Sequence, residues 1–347
     1  MSAFKRAEKV FKGCSCVQEA IDAGALDLAS LADQDERLVL RTVTRMWARD
    51  TTEFSFAEYS GVHVLAGVLD RKQQVELAYS ALHECLAPPN CTNLHAHWDA
   101  SKRCELDSIW PRDGPVLDAL YESLPAAAGG RLVLPRSVTL SRVRWATLGY
   151  QYNWTERSYS RGNYVAFPAR LADVARQLAQ GCQSRFDMQA QAGIVNFYPE
   201  GQVMGGHQDD GEEALDGPVV SISVGSPCVF LLGGLGKDEE PLPILLRSGD
   251  VLLLGGGSRL RYHGVPRVWV HADGPPACLA PDTAGQTRIH TSACACFLTP
   301  EVQNRPDPPQ VGVFSCSCGG VEVAEVRRAL LYLLQARINV NLRQVFR

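Results

Sequence analysis

The spacing of apolar residues divides the chain into two parts. In the first part, apolar side chains recur at helical intervals in two segments, which are Val39, Val43, Met46 and Trp47, and Val75, Ala78, Leu82 and Cys85. We therefore predict helices there, and we define residues 1–138 as a helical N-terminal extension.

From about residue 139, short β-prone runs bounded by Gly, Pro and Asp replace the helical pattern. These runs are VRWATLGY, GIVNFY, PVVSISV, CVFLLG, DVLLLGG, RLRYHGV and RINVNLRQV. One helix carrying Leu171, Val174, Ala175 and Leu178 interrupts them, and another is predicted from Val323 to Gln335. Many short strands are typical of a sandwich or barrel rather than of a parallel βαβ sheet. The sequence thus predicts a mainly β (α+β) domain over residues 139–347.

A segment at about residues 266–320 interrupts this domain. It is rich in Pro, Gly, Ala and Cys, has little periodicity, and is too long for a routine connection, so we predict an inserted loop. It carries two Cys-x-Cys pairs and one further cysteine, which are Cys278, Cys294, Cys296, Cys316 and Cys318. A structural zinc is a hypothesis for this segment, although zinc ribbons favour the wider Cys-x-x-Cys spacing.

Composition narrows the class of protein. The formal net charge of -4 excludes a globally basic nucleic-acid binder, and the twelve cysteines accompany no apolar leader segment, so we expect mostly reduced thiols. No run approaches the roughly 18 apolar residues that a membrane span needs. We expect a soluble monomer of the nucleus, the cytoplasm or both. Import into mitochondria stays open because the N-terminal segment carries four basic residues and only one acidic residue, Glu8. The basic residues are Lys5, Arg6, Lys9 and Lys12.

A candidate metal site consists of His207, Asp209 and His263. The first two follow a predicted strand and a Gly-rich turn, and the strand period of two directs them to the same side. His263 lies at the end of another predicted strand. Two imidazoles and one carboxylate form the ligand set of non-heme Fe(II) oxygenases, which leaves positions for a 2-oxo acid and dioxygen. The alternative for His263 is a core histidine bonded to a backbone carbonyl.

The final predicted strand supports this interpretation. Apolar Ile338, Val340 and Leu342 alternate with the polar residues Arg337, Asn339, Asn341 and Arg343. Inside a sandwich, two arginines would be costly unless they bind carboxylates, and 2-oxoglutarate offers two. Asn196 and Tyr198 also share one side of their strand.

Several segments resemble the AlkB family of Fe(II)- and 2-oxoglutarate-dependent dioxygenases, and within it the AlkB homologue 1 subgroup. They are RWATLGYQYNW, AGIVNFY, the His-x-Asp turn, VFLLGG, SGD, SRLRYHGVPRV and ARINVNLRQV. The resemblance implies a double-stranded β-helix, or jelly roll, with His207, Asp209 and His263 as iron ligands. It further implies a 2-oxoglutarate site made by Asn196, Tyr198, Arg337, Asn339 and Arg343. Asn341 stands where the family usually has Thr.

By the same resemblance, the expected reaction is oxidative removal of an N-methyl group from a nucleobase, with release of formaldehyde, succinate and CO₂. A base reaches such a site only when it is unstacked, so aromatic faces and cations are needed. In residues 131–170, seven arginines (131, 136, 142, 144, 157, 161 and 170) are interleaved with Trp145, Tyr150, Tyr152, Trp154, Tyr159 and Tyr164. We predict that Trp145, Tyr150 and Tyr152 bind substrate, with single-stranded nucleic acid or tRNA as partner.

Other hypotheses stay open at this point. Gly211 and Leu254 stand where the bacterial member has an acidic residue and a tryptophan, so its substrate choice is not carried over. A protein side chain, for example of a histone, is the alternative substrate, and a catalytically dead nucleic-acid-binding module is a third hypothesis. The motif His95-Ala96-His97-Trp98-Asp99 resembles that of metallo-β-lactamase-like hydrolases, but Ala100 occupies the position of a further ligand.

Overall fold

The structure is a computed structural model that describes residues 1–31, 40–47, 49–87, 89–93, 143–199, 201–269, 288–289, 321–322, 332–333 and 336–347. The five cysteines of the zinc hypothesis, the HAHWD motif and nearly all of the predicted insertion lie outside these residues. The same holds for the domain boundary at residues 138 and 139, and for most of the helix predicted from Val323 to Gln335.

Two antiparallel sheets form the centre of the described part of the chain. The larger sheet has ten strands, which in spatial order are β1 (Leu40–Met46), β2 (Arg49–Ser55), β3 (Val62–Ala66), β12 (Val251–Leu254), β9 (Val219–Gly225), β16 (Ala336–Arg343), β7 (Ala192–Pro199), β5 (Trp145–Asn153) and β4 (Cys91–Thr92), with β6 (Ser158–Tyr164) paired to β5. The smaller sheet runs β11 (Leu242–Leu246), β10 (Cys228–Leu232), β13 (His263–Val268) and β8 (Met204–His207). A separate pair joins β14 (Arg288–Ile289) to β15 (Val321–Glu322).

Four α-helices that are described over their full length lie around these sheets: α1 (Ala3–Gly13), α2 (Val17–Asp22), α3 (Arg71–His83) and α4 (Ala169–Gly181). A capping box starts α3, because Asp70 accepts a hydrogen bond from the Gln73 amide while the Gln73 side chain accepts one from the Asp70 amide. The predicted helices around Val75 and Leu171 are thus confirmed. None of the helices in the described part of the chain is long and apolar enough to cross a membrane.

Apolar side chains pack in three layers. Between the two sheets lie residues of both, for example Leu252 of β12 and Ile244 of β11. The opposite face of the larger sheet, including Ile338, Val340 and Leu342, packs against α3 and α4. On the outer face of the smaller sheet lie α1 and α2, with Phe4 and Phe11 among the buried residues. Full burial of each such side chain contributes about 1.5–3 kcal/mol. The two facing sheets form a jelly roll, so the predicted mainly β fold is confirmed.

The description of residues 1–138 as a helical extension is wrong in one respect, because β1, β2 and β3 continue the larger sheet. The predicted helix over Val39–Trp47 is replaced by β1, which pairs with β2 through all seven of its residues. In a strand, Val43 and Met46 point to opposite faces, and accordingly Val43 is 70% exposed while Met46 is 3% exposed. β1 occupies an edge of the sheet with one face in solvent, and so its apolar residues do not alternate.

Candidate metal centre and its pocket

Strand pairing brings the three predicted metal ligands together. His207, the last residue of β8, lies directly opposite His263 in β13, and their ring centroids are 4.4 Å apart. The Nε2 atoms of His207 and His263 lie 3.9 and 3.7 Å from the Asp209 carboxylate. One ligand atom from each residue falls within 4.8 Å of the others, which can hold a metal ion. His263 begins its strand, so its predicted place at a strand end was wrong.

Both imidazoles are oriented by backbone carbonyls. His207 Nδ1 lies 3.0 Å from the Gly205 oxygen, and His263 Nδ1 lies 3.0 Å from the Arg261 oxygen. Because a carbonyl oxygen can only accept, Nδ1 carries the proton in both rings and Nε2 is left as the metal-binding atom. The bond between His263 and a backbone carbonyl, considered above as an alternative to metal binding, is here the feature that directs Nε2 toward Asp209.

The electrostatic environment keeps Asp209 and His263 in the protonation states that metals require. Burial alone would raise the pKa of the Asp209 carboxyl, but the positive charge of the Arg343 guanidinium holds that pKa well below its usual range. Burial, reinforced by His207, lowers the pKa of His263 from 6.5 to about 4, so its imidazole is neutral at pH 7. An ionised carboxylate and a neutral imidazole therefore face each other.

Arg259 and Glu212, which were not predicted as site residues, help to hold Asp209 in place together with Arg343. Arg343 Nη1 lies 3.2 Å from Asp209 Oδ1 and donates to Glu212 Oε1 at 2.9 Å. Arg259 donates to the Asp209 backbone oxygen at 2.7 Å and to Glu212 Oε2 at 3.1 Å. Glu212 and Arg259 are buried, and each lies three or four positions from a predicted ligand in sequence. That proximity was the available signal, but only the folded loop shows that these residues pair.

The pocket beside these ligands lies between the two sheets. It is lined by residues of both, which are Tyr198, Met204, His207, Asp209, Val219, Ser221, Phe230, Leu252, Leu254, His263, Gly264, Val265, Arg337, Asn339 and Asn341. Three of the five residues predicted to hold 2-oxoglutarate are among them. Of the other two, Asn196 lies opposite Asn339 in the β7–β16 pair, and Arg343 lies beside Asp209.

Arg337 supplies the chemical reason to expect an anion in this pocket. Its side chain is 1% exposed, and Nη2 donates to Ser223 Oγ at 2.7 Å. Its Nε and Nη1 atoms, and Oδ1 of Asn341, have no hydrogen-bond partner within the described residues. A buried guanidinium with unsatisfied N–H groups is costly unless a carboxylate pairs with it. The donor set at the metal centre and Arg337 together fit Fe(II) and a dicarboxylic 2-oxo acid.

The predicted substrate residues lie on β5 in an aromatic cluster with β6. The Trp145 ring stacks on Trp154 at 4.7 Å, Tyr152 lies edge-on to Trp154 at 4.9 Å, and Tyr150 contacts Tyr164 at 4.7 Å. The strand leaves β7 at Gly149, whose φ of +70° and 2.1 Å approach of an added Cβ to the Gln191 oxygen permit only glycine. Arg131, Arg136 and Arg142 lie outside the described residues.

Tyr152 and Tyr159 connect this cluster to the metal centre. Burial raises the pKa of Tyr159, and the charges of Arg343, Glu212 and Asp209 also act on this side chain. The Tyr159 hydroxyl has no hydrogen-bond partner within the described residues. At Gly211, a Cβ atom would lie 2.8 Å from the Tyr152 ring and 3.2 Å from the Arg157 oxygen. An acidic side chain at position 211 would therefore displace Tyr152, which explains physically why this chain has glycine there.

The comparisons with known proteins agree with this geometry. The model of the 2OG-Fe(II) oxygenase superfamily matches residues 124–343. Nucleic acid dioxygenase ALKBH1 of Mus musculus is 39% identical over 193 residues, covering 55% of this chain and 46% of the relative. tRNA demethylase abh1 of Schizosaccharomyces pombe is 33% identical, and the match covers 62% of this chain and 70% of that relative. DNA N(6)-methyladenine demethylase ALKBH1A of Arabidopsis thaliana is 27% identical, and the match covers 99% of this chain and 96% of that relative.

The chain belongs to the 2OG-Fe(II) oxygenase superfamily, since the family match covers more than half of its length. The resemblance to the AlkB family that its motifs indicated is confirmed by the matches to ALKBH1 proteins. This superfamily uses Fe(II), 2-oxoglutarate and O₂. The chain spans about half the length of the mouse and human ALKBH1 proteins that it matches.

Proposed function

We propose that this protein is an Fe(II)- and 2-oxoglutarate-dependent dioxygenase that removes N-methyl groups from nucleobases in tRNA or other single-stranded RNA or DNA. The observation that carries the proposal is the convergence of His207, Asp209 and His263 on a pocket that contains the unsatisfied guanidinium of Arg337. A metal site with open positions and a buried anion site in one cavity are the two requirements of this reaction class.

Each part of the pocket has a distinct role in this proposal. His207, Asp209 and His263 would hold the iron, and Arg337 would bind a carboxylate of 2-oxoglutarate through its N–H groups that lack partners. Arg343 fixes the orientation of Asp209. When bound, iron and 2-oxoglutarate supply the oxidant that converts N–CH₃ to N–CH₂OH, while 2-oxoglutarate and O₂ become succinate and CO₂. The hydroxymethyl group then leaves as formaldehyde, and its hydroxyl proton returns to the base nitrogen.

The β5–β6 hairpin supports a nucleic acid as substrate. Trp154 and Tyr164 are 43% and 53% exposed, and the guanidinium-bearing side chains of Arg157 and Arg161 are more than 60% exposed. Stacking of an unpaired base on an aromatic ring contributes about 1–3 kcal/mol, and arginines supply phosphate contacts. The names of the ALKBH1 and abh1 relatives point to the same class of substrate. The predicted cellular compartment and monomeric state stay predictions.

The direct test is mass spectrometry of nucleosides from methylated tRNA and single-stranded DNA incubated with the protein, Fe(II), 2-oxoglutarate and air. We expect one methylated nucleoside to be depleted, and Asp209→Ala to abolish the depletion. Asp216→Ala is the matched control, because this exposed carboxylate pairs with Arg347 rather than with the pocket. Succinate formation without loss of methyl groups from either nucleic acid would contradict the proposed substrate and favour the protein side-chain hypothesis.

A further inference from the structure

The peptide group between Gly205 and Gly206 is hydrogen-bonded at both ends. Its carbonyl oxygen, from Gly205, accepts from His207 Nδ1 at 3.0 Å. Its N–H, from Gly206, donates to Glu8 Oε1 at 2.7 Å. A carboxylate on α1 is therefore connected through one planar amide to the ring of a candidate iron ligand, although about two hundred positions separate Glu8 from His207 in the chain.

Helix α1 is seated so that Glu8 can reach this amide. Phe4 lies one turn before Glu8 on the same helical face and is 1% exposed. Its ring covers Gly206, where a Cβ atom would lie 2.4 Å from Phe4 Cε1, so any larger residue at position 206 would displace the Phe4 ring. The Phe4 amide also donates to the Lys237 oxygen at 3.0 Å.

The burial of Glu8 needs a compensating interaction. The residue is 8% exposed, and a buried carboxylate is costly unless it is paired and hydrogen-bonded. Lys5 Nζ lies 2.7 Å from Glu8 Oε2 at the solvent side, while Oε1 points inward to Gly206. Packing alone would be served equally well by an apolar residue at this position, whereas the hydrogen bond to Gly206 requires an acceptor.

The second histidine offers an internal comparison. His263 Nδ1 donates to the Arg261 oxygen, and the N–H of that peptide group, from Tyr262, donates to the neutral carbonyl of Gly234 at 2.8 Å. The His263 side chain is 10% exposed, and that of His207 is 34% exposed. The charged acceptor thus supports the imidazole that the surrounding protein encloses less.

We propose that Glu8 is a positioning residue for His207 and acts through the Gly205–Gly206 peptide group. The inference rests on the proposed function, in which His207 binds iron. A carboxylate that accepts from an amide N–H polarises the amide and makes its carbonyl a stronger acceptor. The Gly205 oxygen then holds the proton on His207 Nδ1, fixes the ring, and increases the basicity of Nε2 toward the metal, as carboxylates next to metal-bound histidines do.

Calorimetric titration of the metal-free protein with Mn(II) tests the proposal. We expect Glu8→Ala to weaken binding about tenfold, at the lower end of the effect of an outer-shell partner, because one peptide group intervenes. Glu8→Gln keeps a neutral acceptor for the Gly206 amide and should give a smaller loss. Lys5→Ala is the matched control, since it removes the outer ion pair of Glu8 and leaves the inner hydrogen bond; its affinity should stay within about twofold of the wild type.

Nitrogen NMR of the metal-free protein separates positioning from a general loss of folding. We expect the His207 ring to carry its proton on Nδ1 in the wild type, in Lys5→Ala and in Glu8→Gln, and to lose that preference in Glu8→Ala, while His263 is unchanged. If Glu8→Ala does not fold, the intermediate Mn(II) affinity of Glu8→Gln decides. Wild-type affinity and an unchanged His207 tautomer in the Glu8 variants would overturn the proposal. A wild-type protein that binds no Mn(II) would instead overturn the proposed iron site itself.

Discussion

The two arginines of β16 have different partners, and this difference assigns them different roles. Arg343 faces two carboxylates, those of Asp209 and Glu212, and the negative charge of Asp209 contributes most to raising its pKa against the effect of burial. Arg337 faces the Ser223 hydroxyl and retains two nitrogen atoms, Nε and Nη1, without hydrogen-bond partners in the described residues. The positive charge of Arg343 is thus balanced by carboxylates of the protein, whereas Arg337 is available to bind the carboxylate of a ligand.

Replacing Arg337 should weaken co-substrate binding specifically. Hydrogen bonds to a charged group contribute about 1.5–3 kcal/mol each, so Arg337→Gln should raise the KM for 2-oxoglutarate at least about tenfold. Steady-state succinate formation at varied 2-oxoglutarate measures this effect. Arg176→Gln, which changes an exposed arginine of α4, is the control. An unchanged KM in Arg337→Gln would place the 2-oxoglutarate carboxylates elsewhere.

At the level of single residues, the alternation in RINVNLRQV allowed both arginines to be predicted as pocket-facing, because a strand period of two is a local property. Their division of roles could not be predicted. It depends on Arg259, which donates to the Asp209 backbone oxygen, and on Glu212, which accepts hydrogen bonds from both Arg259 and Arg343. The sequence does not specify the path of the loop that brings these residues together. Glu8 could not be predicted for the same reason, since its partner Gly206 lies on a strand distant in sequence.

Among the secondary-structure elements, β1, β2, β3 and the turn after α4 are held together by one buried carboxylate. Glu53 of β2 is 1% exposed and lies 2.8 Å from His63 Nδ1 of β3. It accepts hydrogen bonds from the Thr44 hydroxyl of β1 and from the backbone N–H of Gln183. Burial would raise the pKa of Glu53, but His63, Thr44 and Gln183 together lower it below 4.5. The ionised form therefore stabilises the fold.

We expect Glu53→Gln to reduce the free energy of unfolding by about 1–3 kcal/mol at pH 7. Because the folded pKa is lower than the unfolded one, the stabilisation is present above pH 4.5 and is lost as the pH falls through the folded pKa. The free energies of unfolding of both proteins, measured by urea unfolding between about pH 3 and about pH 7, test this pH dependence. Glu58→Gln, at an exposed position, is the control. A difference in stability that stays constant down to the lowest pH would contradict the explanation.

The wrong helix prediction at Val39–Trp47 arises at this level too. Val39, Val43, Met46 and Trp47 recur at helical intervals, but Thr42, Val43 and Thr44 form a β-branched run that pairs with β2. For an edge strand with one face in solvent, spacing in sequence does not distinguish the two structures. The central strands β7, β9 and β16 were predicted correctly because both of their faces are constrained by packing.

In the whole molecule, the N-terminal part completes the jelly roll instead of preceding it. β3 covers the edge of β12, whose four residues Val251–Leu254 are all buried, and α1 covers the outer face of the smaller sheet. The motifs for the iron site lie after residue 139, and the sequence therefore suggested a self-contained domain there. That prediction ignores which strand edges need partners.

A chain limited to residues 139–347 should consequently fail to fold. Removal of β3 exposes the apolar β12 edge, and removal of α1 uncovers the site of Phe4 on the smaller sheet. We expect the fragment to lack a cooperative thermal unfolding transition by circular dichroism and to bind no Mn(II). A cooperative transition together with wild-type Mn(II) affinity would show that the N-terminal strands are dispensable and would restore the predicted boundary.

The most direct test of the iron and 2-oxoglutarate site is the conversion of 2-oxoglutarate to succinate, measured with and without Fe(II) in the wild type and in His207→Ala. The site described here predicts Fe(II)-dependent succinate formation by the wild type. It also predicts loss of that turnover in His207→Ala, whose circular dichroism spectrum should match that of the wild type. Succinate formation that needs no iron, or that persists unchanged in folded His207→Ala, would contradict the assignment of His207, Asp209 and His263 as the metal centre.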